Sequence, residues 1–293
     1  MSASPQAAAK TGALRVDFAG RRVLVTGGSR GIAGAIARAF AGNGATIALN
    51  YCAQADARAG FPDAAERMQA SLRQAGVKAT AIEGDLTQRG AAAALAERAI
   101  AELGGIDIVV LSASVQIHKD FIDQSEADVA LQLQINLVAN IELLQRLIPP
   151  MRNSGWGRII SIGSVQEIAP SGEMPIYAMT KAAQENLVRN LAIQNARYGI
   201  TVNNIAPGLV QTDRNAFRRR DPAAWDAIAA GANPIGRAGQ PDDIAGAALF
   251  LASDAASFVT GSTLQATGGA HIPWARPGAS HPLAAKSAGD SRS

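Results

Sequence analysis

Along this chain, short runs of β-branched and aliphatic residues alternate with longer, Ala-rich stretches whose apolar positions recur at helical spacing. The runs predict strands over 22–26, 46–50, 78–82, 108–111, 158–162, 201–205 and 263–266, with helices filling nearly every gap. Parallel neighbours in a sheet need crossover connections, and the helices that make them cover both faces. The alternation therefore predicts a single α/β domain on a doubly wound, seven-stranded parallel sheet. Residues 1–19 and 273–293 lack either periodicity and read as disordered or loosely attached tails around a domain at 20–272. Ligands of such sheets bind beyond the carboxyl ends of the strands, where the strand order switches. Chemistry is thus expected in the turns directly after the strands.

Composition narrows the function classes. With 293 residues, 48% hydrophobic and 17% charged, the chain can build a large core and carries too little charge for intrinsic disorder. No apolar run reaches the ~18 residues of a membrane-spanning helix, so no membrane role is expected. Cys52 is the single cysteine, and no basic segment followed by an apolar stretch opens the chain; a reducing cytoplasm is the expected location. His118, His271 and His281 stand without ligand spacing, so no metal site is expected. Basic residues exceed acidic ones by only 27 to 24, which gives no reason to expect a nucleic-acid partner. The one basic run, Arg218, Arg219 and Arg220, reads as a solvated face or as a steering patch for an acidic substrate.

The first strand runs into Thr26-Gly27-Gly28-Ser29-Arg30-Gly31-Ile32, with a helix following through Phe40. Glycines let such a turn pass close to a pyrophosphate, whose charge the unpaired N–H groups of the helix start favour. As the first strand-to-helix turn of a βαβ pattern, it predicts a dinucleotide site at Gly27, Ser29, Arg30, Gly31 and Ile32. An acid ending the second strand would bind a ribose 2′-hydroxyl and repel a 2′-phosphate. This strand ends Leu49-Asn50-Tyr51-Cys52 without one, and Arg30 offers a phosphate its planar fork of donors. Asn50 and Tyr51 are therefore expected beside the ribose, and NADP is expected over NAD. Asp85 and Leu86 follow the third strand; Asp85 serves either the adenine or the start of a helix, as its N-cap.

Beyond the fifth strand, Tyr177 and Lys181 stand four residues apart in a predicted helix and so share one face. An ammonium beside a phenol stabilises the phenolate, lowering its pKa toward the range of a general acid or base. With Asn136 in Gln134-Ile135-Asn136-Leu137 and Ser164 thirteen residues before Tyr177, the chain from Phe18 to about Ile272 resembles the short-chain dehydrogenase/reductase family. The segment from Asn204 through Pro207, Gly208, Val210 and Thr212 is similar too, as are Phe250 to Asp254 and Gly268-Gly269. Within the family the likeness is to NADPH-dependent 3-oxoacyl reductases and to sugar or polyol dehydrogenases.

The resemblance implies a Rossmann-type fold and an NADP-dependent interconversion of a carbonyl and an alcohol. It makes Tyr177 the proton donor to the carbonyl oxygen. Lys181 lowers the Tyr177 pKa and holds the nicotinamide ribose; Ser164 hydrogen-bonds the reacting oxygen; Asn136 holds a water that links Lys181 to solvent. Ala113 and Ser114 would add cofactor contacts after the fourth strand, and Pro207, Gly208, Val210 and Thr212 would close against the nicotinamide. Residues 213–231 would form a helical lid, with Phe217 and Trp225 lining the pocket or anchoring the lid, and Gln166 and Glu167 would touch a hydroxylated substrate. A homotetramer, or a dimer, through the helices bearing Asn136 and Tyr177 is also implied.

Three positions depart from the family pattern. Ala33 stands where a third glycine is usual, Leu111-Ser112-Ala113-Ser114 replaces Asn-Asn-Ala-Gly, and Thr267 replaces an acid before Gly268. The first two motivate an alternative, a nucleotide-binding sensor or structural subunit with reduced catalysis.

Overall fold

A computed structural model describes residues 16–274. The strands are β1 (Arg22–Val25), β2 (Thr46–Tyr51), β3 (Ala79–Glu83), β4 (Ile108–Leu111), β5 (Gly157–Ile162), β6 (Ile200–Pro207) and β7 (Thr263–Ala266). Between them run α1 (Gly31–Gly42), α2 (Ala53–Arg58), α3 (Ala64–Gln74), α4 (Ala91–Leu103), α5 (Glu126–Leu133), α6 (Ala139–Ser154), α7 (Pro175–Asn195), α8 (Pro222–Ala230) and α9 (Pro241–Ala252). The sheet order is β3-β2-β1-β4-β5-β6-β7, parallel at every pairing. The order switches beside β1, whose neighbours are β2 and β4.

Alternation along each strand divides the core into two layers. Val23 and Val25 face a cluster with Ile36 and Phe40 of α1, Met68 of α3 and Ala248 of α9. Leu24 points the other way, joining Val109, Ile159, Leu95 of α4, Leu143 of α6 and Val188 of α7. Strands buried on both faces read as nearly continuous apolar runs, as in β1 and β4, which made the sheet visible in the sequence. β4 and β7 have the expected bounds, and the other five differ by a residue or two at one or both ends.

Packing begins before residue 20: Phe18 is buried, meets Phe40 edge-on at 4.8 Å, and donates its N–H to Asn43 O. The expected tails at 1–15 and 275–293 lie outside the described residues. Asp85 caps no helix. Its Oδ1 accepts from Thr87 N–H within a turn, and α4 starts only at Ala91 after a left-handed Gly90.

Arg22 and Asp107 tie the start of β1 to that of β4. Asp107 Oδ2 accepts from Arg22 N–H at 2.9 Å and Nε at 2.8 Å, and Oδ1 from Nη2 at 2.7 Å. Burial pushes the Asp107 carboxyl up, but the Arg22 hydrogen bonds and charge outweigh it and hold the pKa below the ordinary value. A depressed carboxylate stabilises the fold above its unfolded pKa and loses that contribution as pH falls through the folded one. Asp107→Asn should therefore cost about 2 kcal/mol at neutral pH in urea unfolding, with the difference shrinking below about pH 4.

Candidate active site

The turn between β1 and α1 takes its shape from glycine. Gly27 and Gly31 sit in the left-handed region at φ +66° and +59°, and a Cβ on Gly28 would stand 2.7 Å from Leu49 Cβ. Arg30 precedes α1 and provides no side-chain cap, which leaves the first N–H groups of α1, around Ile32, free to meet an anion. Opposite them, Thr26 Oγ1 accepts from Ser112 N–H (2.9 Å) and Ala113 N–H (3.0 Å), bringing Ala113 and Ser114 to the same edge. Thr212 lies across the groove from Gly31, a short stretch beyond Pro207 at the end of β6, Gly208 and the buried Val210. Gly208 passes so close to Thr267 that a Cβ would lie 3.0 Å from its Cα. A groove of ≈ 290 Å³ opens between Arg30, Gly31, Phe61, Thr212, Asp213 and Arg219. A glycine cradle with uncapped donors fits the pyrophosphate of a dinucleotide.

Not every expected nucleotide residue reaches this cleft. Asn50 is buried and braces the turns: its Nδ2 donates to Gly84 O at 3.0 Å and its Oδ1 accepts weakly from Gly27 N–H at 3.4 Å. It shapes the cradle. Ser29 and Leu86 are likewise buried, whereas Tyr51 and Asp85 are half-buried at their strand ends. The departures from the family pattern leave no gaps. The Ala33 methyl packs within the layer shared by α1 and α9, and Leu111 is buried among the helices of the opposite face. Thr267 Oγ1 lies 2.7 Å from His271 Nδ1 and accepts from Gly269 N–H, which fixes the Gly268-Gly269 turn.

Ser164, Tyr177 and Lys181 come together at the carboxyl end of β5. All three are buried. Ser164 follows β5 after Gly163, and its hydroxyl is near enough to Tyr177 to favour the phenolate. Lys181 Nζ stands 5.7 Å from the Tyr177 ring centre and donates to Ile162 O (2.7 Å) and Gln184 Oε1 (3.0 Å). Burial lowers Lys181 to about 7, aided by repulsion from Arg214 and opposed by Glu167. Burial also raises Tyr177, against the pull of Arg214 and the Ser164 hydroxyl. The expected lowering of Tyr177 by Lys181 is therefore not seen here: desolvation of the phenolate wins, and Lys181 carries only part of its charge at neutral pH.

Asn136 lies in a π-helical turn, Gln134–Val138, that joins α5 to α6. Its Oδ1 accepts from Val115 N–H (2.9 Å), and its Nδ2 donates to Val115 O and to Thr180 Oγ1, each at 3.0 Å. The Asn136 carbonyl accepts from Asn140 Nδ2 at 2.8 Å. Asn136 thus locks the loop after β4 onto α7, next to Lys181.

Several site residues were not foreseen. Asp56, one helical turn beyond β2, accepts from Arg30 Nε at 2.7 Å, and Asp213 of the lid pairs with the same guanidinium. Arg214 crosses the cleft to Ser114, donating to its carbonyl at 2.9 Å and its hydroxyl at 3.3 Å. The lid itself is helical, a 3₁₀ turn at Asp213–Arg219 followed by α8. Trp225 anchors it, buried against Ala229, Ala238 and Leu209, whereas Phe217 is exposed. Arg218 faces Glu173 at 3.8 Å, and Arg219 Nη1 donates to Thr212 O. Gln166 and Glu167 do not form a substrate-facing pair. Gln166 Oε1 accepts from Ser171 N–H, while Glu167 turns inward, where its Oε1 accepts from Ser164 N–H at 2.8 Å. An acid one turn past a strand, or three residues past Ser164, is a visible signal, but its partner is not.

Among known proteins, a family model described as enoyl-(acyl carrier protein) reductase matches residues 27–271. The 7α-hydroxysteroid dehydrogenase of Escherichia coli K12 is 37% identical over 256 residues, covering 87% of this chain and 95% of its own. A 3-oxoacyl-(acyl-carrier-protein) reductase from Agrobacterium tumefaciens C58, solved with NADP bound, is 42% identical with a TM-score of 0.81, over 87% of this chain and 95% of that one. A blue fluorescent protein from a metagenomic library, solved with NADPH, is 32% identical with a TM-score of 0.77, over 87% and 99%.

Proposed function

Because the chain belongs to the short-chain dehydrogenase/reductase family of oxidoreductases acting on CH–OH groups, we propose that it interconverts a carbonyl compound and an alcohol with NADP(H). One observation carries this reading: Ser164, Tyr177 and Lys181 lie buried together beside a glycine cradle suited to a dinucleotide. The nicotinamide, when bound, supplies or accepts the hydride.

The protein's own groups handle the proton and the charge. Tyr177 Oη donates its proton to the carbonyl oxygen in reduction and takes it back in oxidation. Ser164 Oγ, beside Tyr177, donates to the same oxygen and offsets its growing negative charge. Lys181 holds the nicotinamide ribose and, taking a proton from solvent as the phenolate forms, brings Tyr177 down from its raised resting value. Asn136 keeps Val115 and Thr180, and with them the floor of the cleft, in register. Gly27, Gly31 and Ile32 cradle the pyrophosphate, Ala113, Ser114, Pro207, Gly208, Val210 and Thr212 line the nicotinamide half, and Arg30 meets the 2′-phosphate of NADP. A 3-oxoacyl or sugar-like substrate is the class we propose.

Exposed Val138, Ile141, Met179 and Ile193 lie on or beside the helices that bear Asn136 and Tyr177, which supports association into a homotetramer or dimer through them. Light scattering of the purified protein should give a mass at or above twice the 30.1 kDa chain; a monomer refutes that part. Among the described residues no helix is long and apolar enough to cross a membrane. The activity itself is tested by titrating the nucleotide-free protein with NADPH and NADH, then screening ketones and aldehydes for NADPH oxidation. Tight NADPH binding with turnover is the expected result, and failure to bind either nucleotide overturns the proposal.

A further inference from the structure

We propose that Glu167 is a positioning residue for Ser164, its ionised carboxylate clamping the Ser164 main chain so that the hydroxyl is aimed at the substrate carbonyl. The inference rests on the reading of Ser164 given above. Its geometry is a reciprocal cap around the 3₁₀ turn Val165–Glu167: Ser164 Oγ accepts from Gln166 N–H at 3.2 Å, and Glu167 Oε1 accepts from Ser164 N–H at 2.8 Å. The carboxylate is also held from β6, where Asn204 Nδ2 donates to Oε2 at 2.9 Å and to Oε1 at 3.2 Å. Gly163 makes this possible. A Cβ there would collide with the Glu167 carboxylate and stand 2.7 Å from both polar ends of Asn204.

Every partner of this carboxylate is a donor, so the clamp is built for the charged form. A protonated Glu167 carries an O–H that must find an acceptor, and Asn204 Nδ2 and Ser164 N–H cannot provide one. The one candidate close by is Asn204 Oδ1, buried and without a partner among the described residues. Reaching it requires Asn204 to turn its amide, which exchanges the charge-assisted bonds from Nδ2 for one neutral bond. Protonation therefore weakens the hold on Ser164, whose N–H is left with a neutral acceptor.

The groups that face Glu167 place this event near neutrality. From α7 come Tyr177, Lys181, whose charge favours the carboxylate, and Glu185, whose charge opposes it. Glu185 is itself bonded to Arg189 at 2.6 Å and to Thr263 Oγ1 at 2.8 Å, the latter from β7. Burial dominates and lifts Glu167 to about 7. A required carboxylate gives turnover that falls as pH drops below that value. Lys181 acts on the opposite side, since a required ammonium is lost as pH rises.

The test compares wild type, Glu167→Gln, Glu167→Ala and Ser164→Ala in kcat, KM and NADPH affinity from about pH 6 to 9. Wild type should show an acid limb near the Glu167 value. Glu167→Gln presents a neutral group at every pH, the counterpart of the protonated acid, so its kcat should stay near the acid-limit value of wild type and show no acid limb. Glu167→Ala should lower kcat about 10- to 100-fold with KM and NADPH affinity nearly unchanged. In parallel, the Ser164 amide resonance should titrate near neutrality in wild type and stay still in Glu167→Gln. Should Glu167→Ala fail to fold, the Gln variant decides by both readouts. An unaltered acid limb in Glu167→Gln, or a Ser164 amide that ignores pH in wild type, overturns the clamp. Full activity in Ser164→Ala instead overturns the reading of Ser164, whatever its amide does.

Discussion

Replacing Tyr177 with Phe should reduce carbonyl turnover by about 10³-fold, with NADPH bound as tightly as by wild type. The substitution removes a single oxygen from a buried ring on α7, so its packing is kept and the fold is not at risk. What is lost is the proton that must reach the carbonyl oxygen, together with the hydroxyl beside Ser164. A 10³-fold loss corresponds to about 4 kcal/mol of transition-state stabilisation, more than one neutral hydrogen bond supplies in water. The measurement is single-turnover oxidation of NADPH beside a fluorescence titration of the same nucleotide. Comparable rates in the two proteins would place the proton donor elsewhere. Lys181→Ala should differ in kind: it removes the group proposed to hold the ribose, so turnover and NADPH affinity should fall together.

The architecture was legible in the sequence for a physical reason. Strands covered on both faces are mostly apolar, and the runs from Val23 to Val25 and from Ile108 to Leu111 could hardly be anything else beside Ala-rich helices. The glycine turn and the Tyr177–Lys181 pair were legible because both are local, set by residues within one turn or helix. Partnerships between distant segments were not. Glu167 follows Ser164 in the chain and looked ready for substrate, but Gly163 leaves room for it to turn inward, and Asn204, 37 residues away, receives it. Tyr177 was expected to be acidified by its neighbour, yet how deeply each group is buried cannot be read from a spacing of four residues. Trp225 had two readings in sequence, and only the packing against Leu209 and Ala238 chose the anchor.

Cofactor preference depends on another such partnership. Arg30→Ala should weaken NADPH about 10- to 100-fold and change NADH binding by no more than about 3-fold. The second strand ends without an acid, which favoured NADP, but Asp56 stands one helical turn further on and binds Arg30 Nε at 2.7 Å. Asp56 is almost fully buried, and its Oδ2 has no partner among the described residues. Asp213 binds the same guanidinium from the lid. Arg30 thus carries one positive charge between two carboxylates, and a 2′-phosphate must displace one of them. The exchange is easier on the lid side, because Asp213 belongs to a surface turn whereas Asp56 is fixed within α2. Asp56 then keeps Nε and presents the remaining donors outward, while its charge offsets part of the attraction to phosphate. Asp56→Asn should accordingly tighten NADPH several-fold, the reverse of Arg30→Ala. Isothermal titration of both variants with both nucleotides separates the contributions. Equal losses for NADPH and NADH in Arg30→Ala would mean that Arg30 only props the lid through Asp213, and the preference for NADP would then need another source.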